Sequence, residues 1–460
     1  MNSPRLLPAG PHGHPVMGHY IPFRDDALGL FEDIAHQYGD VARIRFGPQQ
    51  VVVVNTPGLA KELFHDRRRF VKGGIWSRMR PMLGKGLLTN EGTDWQHQRR
   101  LMVPAFHAKR LARLTEHMTC AAQEVGRRWD KTPDGQIDVH HDMMELALEV
   151  AVRALFSTTV TEDTHAIARA FTELQKHILR RLWSFNPLTG HLPTARNKRF
   201  DKALEVLDSV VMRIIAEHRK EGVDHGDLLS MMLQVRDDNG QGMNDQQVRD
   251  EVMTIVLAGH ETTANAMSWC WYLLDKHPQI AQKVRAEIHE VLGQRAPTYE
   301  DLPRLTYTRD VIRETMRLYP PIWLIPRTTT EDTTLGPYNI AKGTIVMALP
   351  YLLHRHPRYW NNPERFEPER WAKDHDRPRY TFMPFGAGPR MCLGKHFAMM
   401  EAQIALTTLL RGRQVKIDAD HIPAQPLLSL RPHRGRMTAH VTAQRASNTA
   451  QPTSPALQEL

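Results

Sequence analysis

Cysteine is scarce in this sequence. Three cysteines, Cys120, Cys270 and Cys392, occur among 460 residues, and no two of them form a Cys-x-x-Cys pair. The scarcity excludes a disulfide-stapled scaffold and argues against a structural zinc site, which draws its ligands from paired Cys and His residues. We therefore expect no disulfide bridge and a reducing, cytoplasmic setting.

Long hydrophobic runs and flexible linkers are also missing. No apolar run approaches the length of about 18 residues that a membrane-spanning helix needs. Residues 1–20 are rich in Pro, Gly and His and lack the charged head and apolar core of a signal peptide. We expect no transmembrane anchor, an extended arm over 1–20, a single large domain over 21–444 and a disordered tail over 445–460.

The formal charge of +9 is spread over the chain instead of being concentrated in an arginine tract. Neither a zinc finger nor an aromatic-basic ribonucleoprotein motif accompanies it, so we expect no nucleic-acid partner. A phosphate-binding loop is excluded at Gly84-Lys85-Gly86, because Met79 occupies the first glycine position and Gly86 replaces the required Ser or Thr.

The hydrophobic periodicity predicts a mostly α protein with a small β-sheet region. Helical spacing occurs over Leu111–Trp129, Met143–Phe156, Ile167–Leu182 and Phe200–His218. Strand-like runs are fewer and lie at Val41–Phe46, Gln50–Asn55, Thr344–Leu349, around Val415, Leu427–Leu430 and Met437–Val441. Early and late strands suggest a sheet that is assembled from distant segments.

One helix is predicted to be exceptionally long. Asn244 and Gln247 have the spacing of a capping box, and the apolar pattern continues from there to His277, before Pro278. At 1.5 Å per residue such a helix is roughly 50 Å long and traverses the domain.

The most informative motif is the loop Phe385–Gly394, which opens onto a helical stretch from Lys395. Its pattern Phe385-x-x-Gly388-x-Arg390-x-Cys392-x-Gly394 combines an isolated cysteine, small residues and a cation. These are the parts of a haem-thiolate loop: a sulfur ligand for iron, backbone N–H groups that turn toward it, and a partner for a porphyrin carboxylate.

The loop resembles that of the cytochrome P450 monooxygenases. The resemblance implies the fold of that family, with haem b as cofactor and Cys392 as the axial ligand of its iron. It further implies that Phe385 packs near the ligand, that Arg390 pairs with a haem propionate and that Gly394 belongs to the cofactor-binding loop.

The segment Ala258-Gly259-His260-Glu261-Thr262-Thr263, inside the long helix, is similar to the oxygen-binding helix of that family. Gly259 leaves room for a flat cofactor, and the Thr262 hydroxyl can open the local hydrogen-bond ladder. The resemblance implies that Thr262 binds oxygen and that Glu261 relays protons. A carboxyl and a hydroxyl together can carry protons from water.

Other positions match the family as well. Trp95 and Arg99 resemble its Trp-x-x-x-Arg helix, which contacts a haem propionate, and Arg327 is the third candidate cation. Glu314, Arg317 and Arg370 match a buried structural triad, and Trp371 stands next to it where the family usually has phenylalanine. Removing one member of such a triad leaves a buried charge uncompensated.

The expected pocket is lipophilic. We place it among Phe70–Leu88, Leu179–Leu192, the face of the long helix before Gly259, Ile322–Ile325 and Leu427–Leu430. Large apolar candidates in these segments are Trp76, Met79, Met82, Trp183, Phe185 and Trp323. Terpenoids, fatty acids, steroids and polyketides all fit this description.

A separate electron donor is expected, because only a short tail follows the haem-binding region. The resemblance implies a ferredoxin with its NAD(P)H-dependent reductase. Basic residues form a candidate docking face for it, namely Arg99, Arg100, Lys109, Arg110 and Lys395. Two alternatives stay open: a peroxide-driven enzyme, isomerase or dehydratase on the same fold, and a haem sensor or carrier.

Overall fold

Helices dominate the part of the chain that the computed structural model describes, residues 6–157, 194–373 and 377–443 with isolated positions between 158 and 193. In chain order they are α1 (Tyr20–Asp25), α2 (Ala27–Tyr38), α3 (Pro57–His65), α4 (Gly74–Ser77), α5 (Arg80–Leu83), α6 (Gly92–Met102), α7 (Ala108–Leu111), α8 (Thr115–Lys131), α9 (Val139–Phe156), α10 (Ala195–Glu221), α11 (Leu228–Gln234), α12 (Asp245–Lys276), α13 (Pro278–Leu292), α14 (Thr306–Leu318), α15 (Pro350–Leu353), α16 (Arg370–Lys373) and α17 (Lys395–Leu410). The prediction of a mostly α protein with a small β-sheet region is confirmed.

The strands form several small sheets. They are β1 (Val41–Phe46), β2 (Gln49–Val54), β3 (Phe70–Val71), β4 (Gln136–Asp138), β5 (Ile325–Thr329), β6 (Thr333–Leu335), β7 (Tyr338–Ile340), β8 (Ile345–Ala348), β9 (Arg413–Ile417), β10 (Ala424–Pro426), β11 (Leu430–Pro432) and β12 (Thr438–Ala443). The largest sheet has the order β1-β2-β8-β5-β3, so early strands pair with late ones as expected.

The long helix α12 forms as its sequence predicts. Asn244 accepts from the Gln247 backbone while the Gln247 side chain accepts from the Asn244 backbone, which completes the capping box. The helix ends at Lys276 with His277 as its C-cap residue, because Pro278 cannot continue the hydrogen-bond ladder. It packs against α9, α14 and α17 through the main hydrophobic core. The helix α12 therefore lies at the centre of the main hydrophobic core.

Two local predictions need correction. The segment Leu427–Leu430 is not one strand, because residues 427–429 form the turn between the antiparallel strands β10 and β11. The predicted helix Leu111–Trp129 is divided by a tight 3-10 turn at Ala112–Leu114, after which α8 begins. Most of the predicted helix Ile167–Leu182 lies outside the described residues.

The described part of the N-terminal arm lies against the edge of the largest sheet. The backbone N–H of Arg43, on β1, donates to the carbonyl of Ala9 at 2.7 Å. A Cβ atom at Gly10 would lie 1.8 Å from the Arg43 carbonyl oxygen, so only glycine permits this close approach. Among the described helices, none has the length and apolar character that a bilayer crossing requires. The predicted tail 445–460 lies outside the described residues.

Candidate active site

The loop Phe385–Gly394 is held in a tight, defined shape. The Cys392 N–H donates to the Phe385 carbonyl at 2.8 Å, and the Met391 N–H donates to the Gly388 carbonyl at 3.0 Å. Gly388 has a φ of +68°, and a Cβ atom there would lie 2.5 Å from the Phe64 carbonyl oxygen. Glycine is therefore required at this position by both conformation and space.

The Cys392 side chain is accessible although protein atoms surround its sulfur. Burial raises the pKa of its thiol above the ordinary value, whereas the Gly394 N–H, Arg99 and Lys395 act in the opposite direction. The side chain nevertheless has exposed surface. The Gly394 N–H and the two cations favour a thiolate there.

The middle of α12 presents one accessible face. Ile255, Ala258, Gly259 and Thr262 have exposed surface although most of their neighbours on the helix are buried. Their spacing of three and four residues places them on a single face of the helix. A Cβ atom at Gly259 would meet no atom within 4 Å. This face therefore has room for a flat group.

Thr262 and Glu261 make different contacts. The Thr262 hydroxyl donates to the Ala258 carbonyl, one turn earlier, at 2.7 Å. Glu261 accepts a hydrogen bond from the Ser429 hydroxyl, which in turn accepts from the Asn265 amide at 2.8 Å. α12 runs through this segment as a continuous helix, in which the Thr262 hydroxyl bonds back to its own backbone.

Several cations converge beside the Cys392 loop. The guanidinium of Arg390 lies over the Trp95 ring at 4.1 Å, and that of Arg99 lies 5.7 Å from the same ring. Arg99 also donates to the Met391 carbonyl at 2.9 Å. Arg390 bonds to Glu91, but its Nη1 is buried without a hydrogen-bond partner. The structure thus brings Trp95, Arg99 and Arg390 together as the sequence predicts.

Arg327 and Lys72 complete this group of cations. Burial lowers the pKa of Arg327 to about 10, and Arg390 acts in the same direction. Burial likewise lowers the pKa of Lys72 well below its usual value, with Arg390 and Arg327 adding to the effect. The Lys72 amine donates to the Leu88 carbonyl at 2.7 Å. The basic side chains of this cluster outnumber its acid, Glu91. The cluster therefore suits a further anionic partner.

Sequence reasoning missed Lys72 and Glu91. Glu91 accepts a hydrogen bond from the Lys72 backbone N–H at 2.6 Å and also bonds to Arg390. It therefore connects Lys72 with Arg390. The available signal was weak: Lys72 directly precedes two glycines and follows the apolar pair Phe70-Val71. The long separation between Glu91 and Arg390 hides their contact in the sequence.

The predicted triad of Glu314, Arg317 and Arg370 forms in the protein interior. Glu314 and Arg317 are fully buried and share two hydrogen bonds of 3.0 and 2.9 Å. Arg370 donates to the same carboxylate at 2.9 Å, and the Trp371 indole N–H donates to it at 3.0 Å. Where the family usually has phenylalanine, Trp371 therefore adds a hydrogen bond to the buried acid.

The predicted lipophilic lining is only partly seen. Trp76, Leu87, Leu88, Ile325 and Leu428 are partly exposed apolar residues at the edge of the core. By contrast, Met79, Met82 and Trp323 are 2%, 1% and 1% exposed and belong to the packed core, so the prediction that they line the pocket is wrong. Trp183 and Phe185 lie outside the described residues.

These residues fit an iron porphyrin. Among the described residues, no three His, Cys, Asp or Glu side chains converge as a metal site would require. The Cys392 thiolate alone therefore suits an iron whose other ligands come from a macrocycle. The cations around Trp95 suit the carboxylates of that macrocycle, and the open face at Gly259 suits its flat ring.

Comparisons with known proteins agree with this geometry. The family model described as "Cytochrome P450" matches residues 8–438. Cyclooctatin synthase of Streptomyces melanosporofaciens is 38% identical over 91% of this chain and 92% of its own length. Pentalenene oxygenase of Streptomyces avermitilis is 33% identical over 94% of this chain and 96% of its own length. Cyclooctat-9-en-7-ol 5-monooxygenase of Streptomyces melanosporofaciens is 36% identical over 87% of each.

A solved structure agrees as well. The crystal structure of the cytochrome P450DA haem domain superposes with a TM-score of 0.87 at 27% identity and covers 95% of this chain and 98% of that one. The residues that the family model matches include the Cys392 loop and α12. The chain therefore belongs to the cytochrome P450 family and is a monooxygenase of that family.

Proposed function

We propose that this enzyme binds haem b through Cys392 and inserts one atom of O₂ into a terpenoid. When bound, haem supplies the iron at which O₂ is reduced, and a thiolate ligand donates electron density that favours O–O cleavage. The observation that best supports this proposal is the accessible Cys392 thiol. It lies next to the Gly394 N–H and near the cations Arg99 and Lys395.

The propionate-binding residues in this proposal are Trp95, Arg99, Lys72, Arg327 and Arg390. Charged hydrogen bonds in a buried site are strong, and a pair of carboxylates offsets the repulsion among these cations. The unpartnered Nη1 of Arg390 supports the assignment. Phe385 and Gly394 hold the ligand loop, while Gly259 leaves room for the ring.

Thr262 and Glu261 are the proposed catalytic residues. Thr262 lies on the accessible face of α12, where its hydroxyl can hold a proton next to the reacting oxygen. Glu261 is the neighbouring carboxyl that takes up protons from water and passes them toward that face. The intact acid and alcohol favour an oxygen-using enzyme over the peroxide-driven alternative.

A terpenoid substrate is favoured by the relatives and by the described lining. The printed names of two relatives refer to cyclooctat-9-en-7-ol and pentalenene. Apolar side chains such as Trp76, Leu87 and Leu88 are consistent with a hydrocarbon framework.

For its electrons we propose a ferredoxin and its reductase. The basic side chains Arg99, Arg100, Lys109, Arg110 and Lys395 would attract an acidic protein near the Cys392 loop. We further propose that residues 21–444 act as one haem domain, and that the three free cysteines fit a cytoplasmic location.

A substrate titration tests this function. Pentalenene, cyclooctat-9-en-7-ol, a C16 fatty acid and a steroid are added separately to the haem-loaded enzyme while the Soret band is recorded. We expect the terpenoids to shift the band toward the high-spin position and to yield an oxygenated product with O₂, NAD(P)H, ferredoxin and reductase. Product formation from the fatty acid or steroid alone would contradict the substrate class. Product without O₂ or an electron donor would contradict the reaction.

A further inference from the structure

The segment Gly84–Leu88, whose first three residues do not form a phosphate-binding loop, lies directly against α12. Gly84 has a φ of +53°, and a Cβ atom there would lie 2.1 Å from the Asp250 carboxylate oxygens. A Cβ atom at Gly86 would lie 2.7 Å from the Asp250 backbone carbonyl oxygen, which is fixed within the helix. The two glycines therefore permit a close approach that no other residue allows.

Two consecutive acids of α12 hold this segment by its backbone. The Lys85 N–H donates to the Asp250 carboxylate at 2.7 Å, and the Leu87 N–H donates to both carboxylate oxygens of Glu251 at 3.1 Å. Asp250 is 4% and Glu251 0% exposed. Loss of either acceptor would leave a backbone N–H without its partner in a place that water does not fill. The two acids therefore fix the distance between the segment and the helix.

The residues that follow are held by cations that we assign to the haem propionates. The Leu88 carbonyl accepts from the Lys72 amine at 2.7 Å, and the Asn90 carbonyl accepts from the Arg390 guanidinium at 3.0 Å. This stretch of backbone therefore connects α12 with the propionate-binding cations.

Glu251 lies on the same face of α12 as the accessible residues. It precedes Ile255 by one turn, and the accessible face continues from there to Thr262. At 1.5 Å per residue, Glu251 is roughly 12 Å from Gly259 along the helix axis. The half-buried Leu87, bound to Glu251, consequently lies at one end of the accessible face.

We propose that Glu251 is a positioning residue that holds Leu87 as an end wall of the substrate pocket. A ligand that extends along α12 beyond this point must displace Leu87 and break its hydrogen bond to Glu251. Glu251 thereby limits the length of the terpenoid that the enzyme accepts. The inference rests on the haem and the lipophilic pocket of the proposed function.

Imidazoles with alkyl chains of different length test the wall, because the ring nitrogen binds haem iron and the chain extends into the pocket. The dissociation constants of 1-butylimidazole, which is shorter than the distance from Gly259 to Glu251, and of the longer 1-dodecylimidazole are measured from the Soret shift of the holoenzyme. We expect Glu251→Ala to bind the dodecyl compound roughly 2- to 10-fold more tightly than the wild type, the ratio that one net hydrogen bond controls. Binding of the butyl compound should not change.

Glu251→Gln keeps an acceptor for the Leu87 N–H and should bind both imidazoles as the wild type does. If Glu251→Ala does not retain haem, Glu251→Leu gives the same test, because it fills similar space without an acceptor. Unchanged or weaker binding of the dodecyl compound in the variant without an acceptor would overturn the proposal. Tighter binding of both imidazoles to the same extent would also overturn it.

Asp301→Ala is the matched control. Asp301 is 3% exposed and also accepts a backbone N–H, that of Thr298 at 2.9 Å, but it lies between α13 and α14. Its loss should lower stability and leave the ratio of the two dissociation constants unchanged. A changed ratio in Asp301→Ala would show that general loosening of the fold, and not the wall, sets this ratio.

A double variant tests whether Glu251 acts through Leu87. Leu87→Ala should itself favour the dodecyl compound, and Glu251→Ala should then have no further effect in that background. An additive effect would overturn the role of Leu87 as the wall.

The imidazole titrations separate this inference from the proposed function. They need haem but neither a particular substrate nor an electron donor, so they decide on the wall even if no terpenoid shifts the Soret band. A wild type that binds neither imidazole would overturn both the haem site and the wall. The reduced carbonyl spectrum of each variant confirms that it is folded and loaded with haem.

Discussion

Replacing Glu251 by glutamine is expected to remove a large part of the pH dependence of stability. Glu251, on α12, is fully buried and accepts the Leu87 N–H at 3.1 Å through both carboxylate oxygens. Burial raises the pKa of this carboxyl to about 8, opposed by the Leu87 N–H and assisted by the charge of Asp250. A glutamine oxygen can accept the same hydrogen bond without titrating.

The sign and size follow from the shift. A carboxyl whose folded pKa lies above its ordinary value of 4.5 stabilises the fold at acid pH, and this contribution is lost as the pH rises through about 8. One pH unit is worth about 1.36 kcal/mol, so the wild type should lose roughly 2–3 kcal/mol between pH 6 and pH 9 through this group alone.

Urea unfolding of the haem-loaded enzyme, followed by circular dichroism at both pH values, measures the effect. The fall in unfolding free energy from pH 6 to pH 9 should be smaller in Glu251→Gln than in the wild type by roughly 2–3 kcal/mol. Glu205→Gln, at an exposed position on α10, is the control and should follow the wild type. Parallel pH profiles for Glu251→Gln and the wild type would refute the reasoning.

Three further predictions concern the haem site. Lys72→Met should release haem to apomyoglobin roughly ten-fold faster than the wild type, because one charged partner of a propionate is lost; an unchanged transfer rate would exclude Lys72 from the site. Glu314→Ala should lose roughly 3–5 kcal/mol and accumulate as apoprotein or aggregate, since two buried arginines lose their acid; a full carbon monoxide difference band in this variant would contradict the triad. Thr262→Ala should yield less product per NAD(P)H with the terpenoid that binds, and an unchanged yield would show that this hydroxyl carries no protons.

Local patterns carried most of the prediction. The Cys392 loop and the capping box of α12 are encoded within a few residues each, so the sequence is enough to find them. Likewise, Glu314 and Arg317 are three residues apart on one helix, and their ion pair is local.

Contacts between distant segments could not be predicted in the same way. Ser429 and Glu261 are 168 residues apart, and nothing in either segment indicates the other. Met79 and Met82 are large apolar residues of the type that lines lipophilic pockets, but the packing of the surrounding helices buries them in the core. Short apolar runs such as Leu427–Leu430 fit a strand or a turn equally well, and only the pairing of β10 with β11 decides between them.

The bond between the Cys392 sulfur and iron is the central claim, and the reduced carbonyl spectrum tests it most directly. The haem-loaded wild type, reduced and exposed to carbon monoxide, should absorb near about 450 nm, as thiolate ligation requires. A band near roughly 420 nm, the position expected for an imidazole or a neutral thiol, would contradict the account.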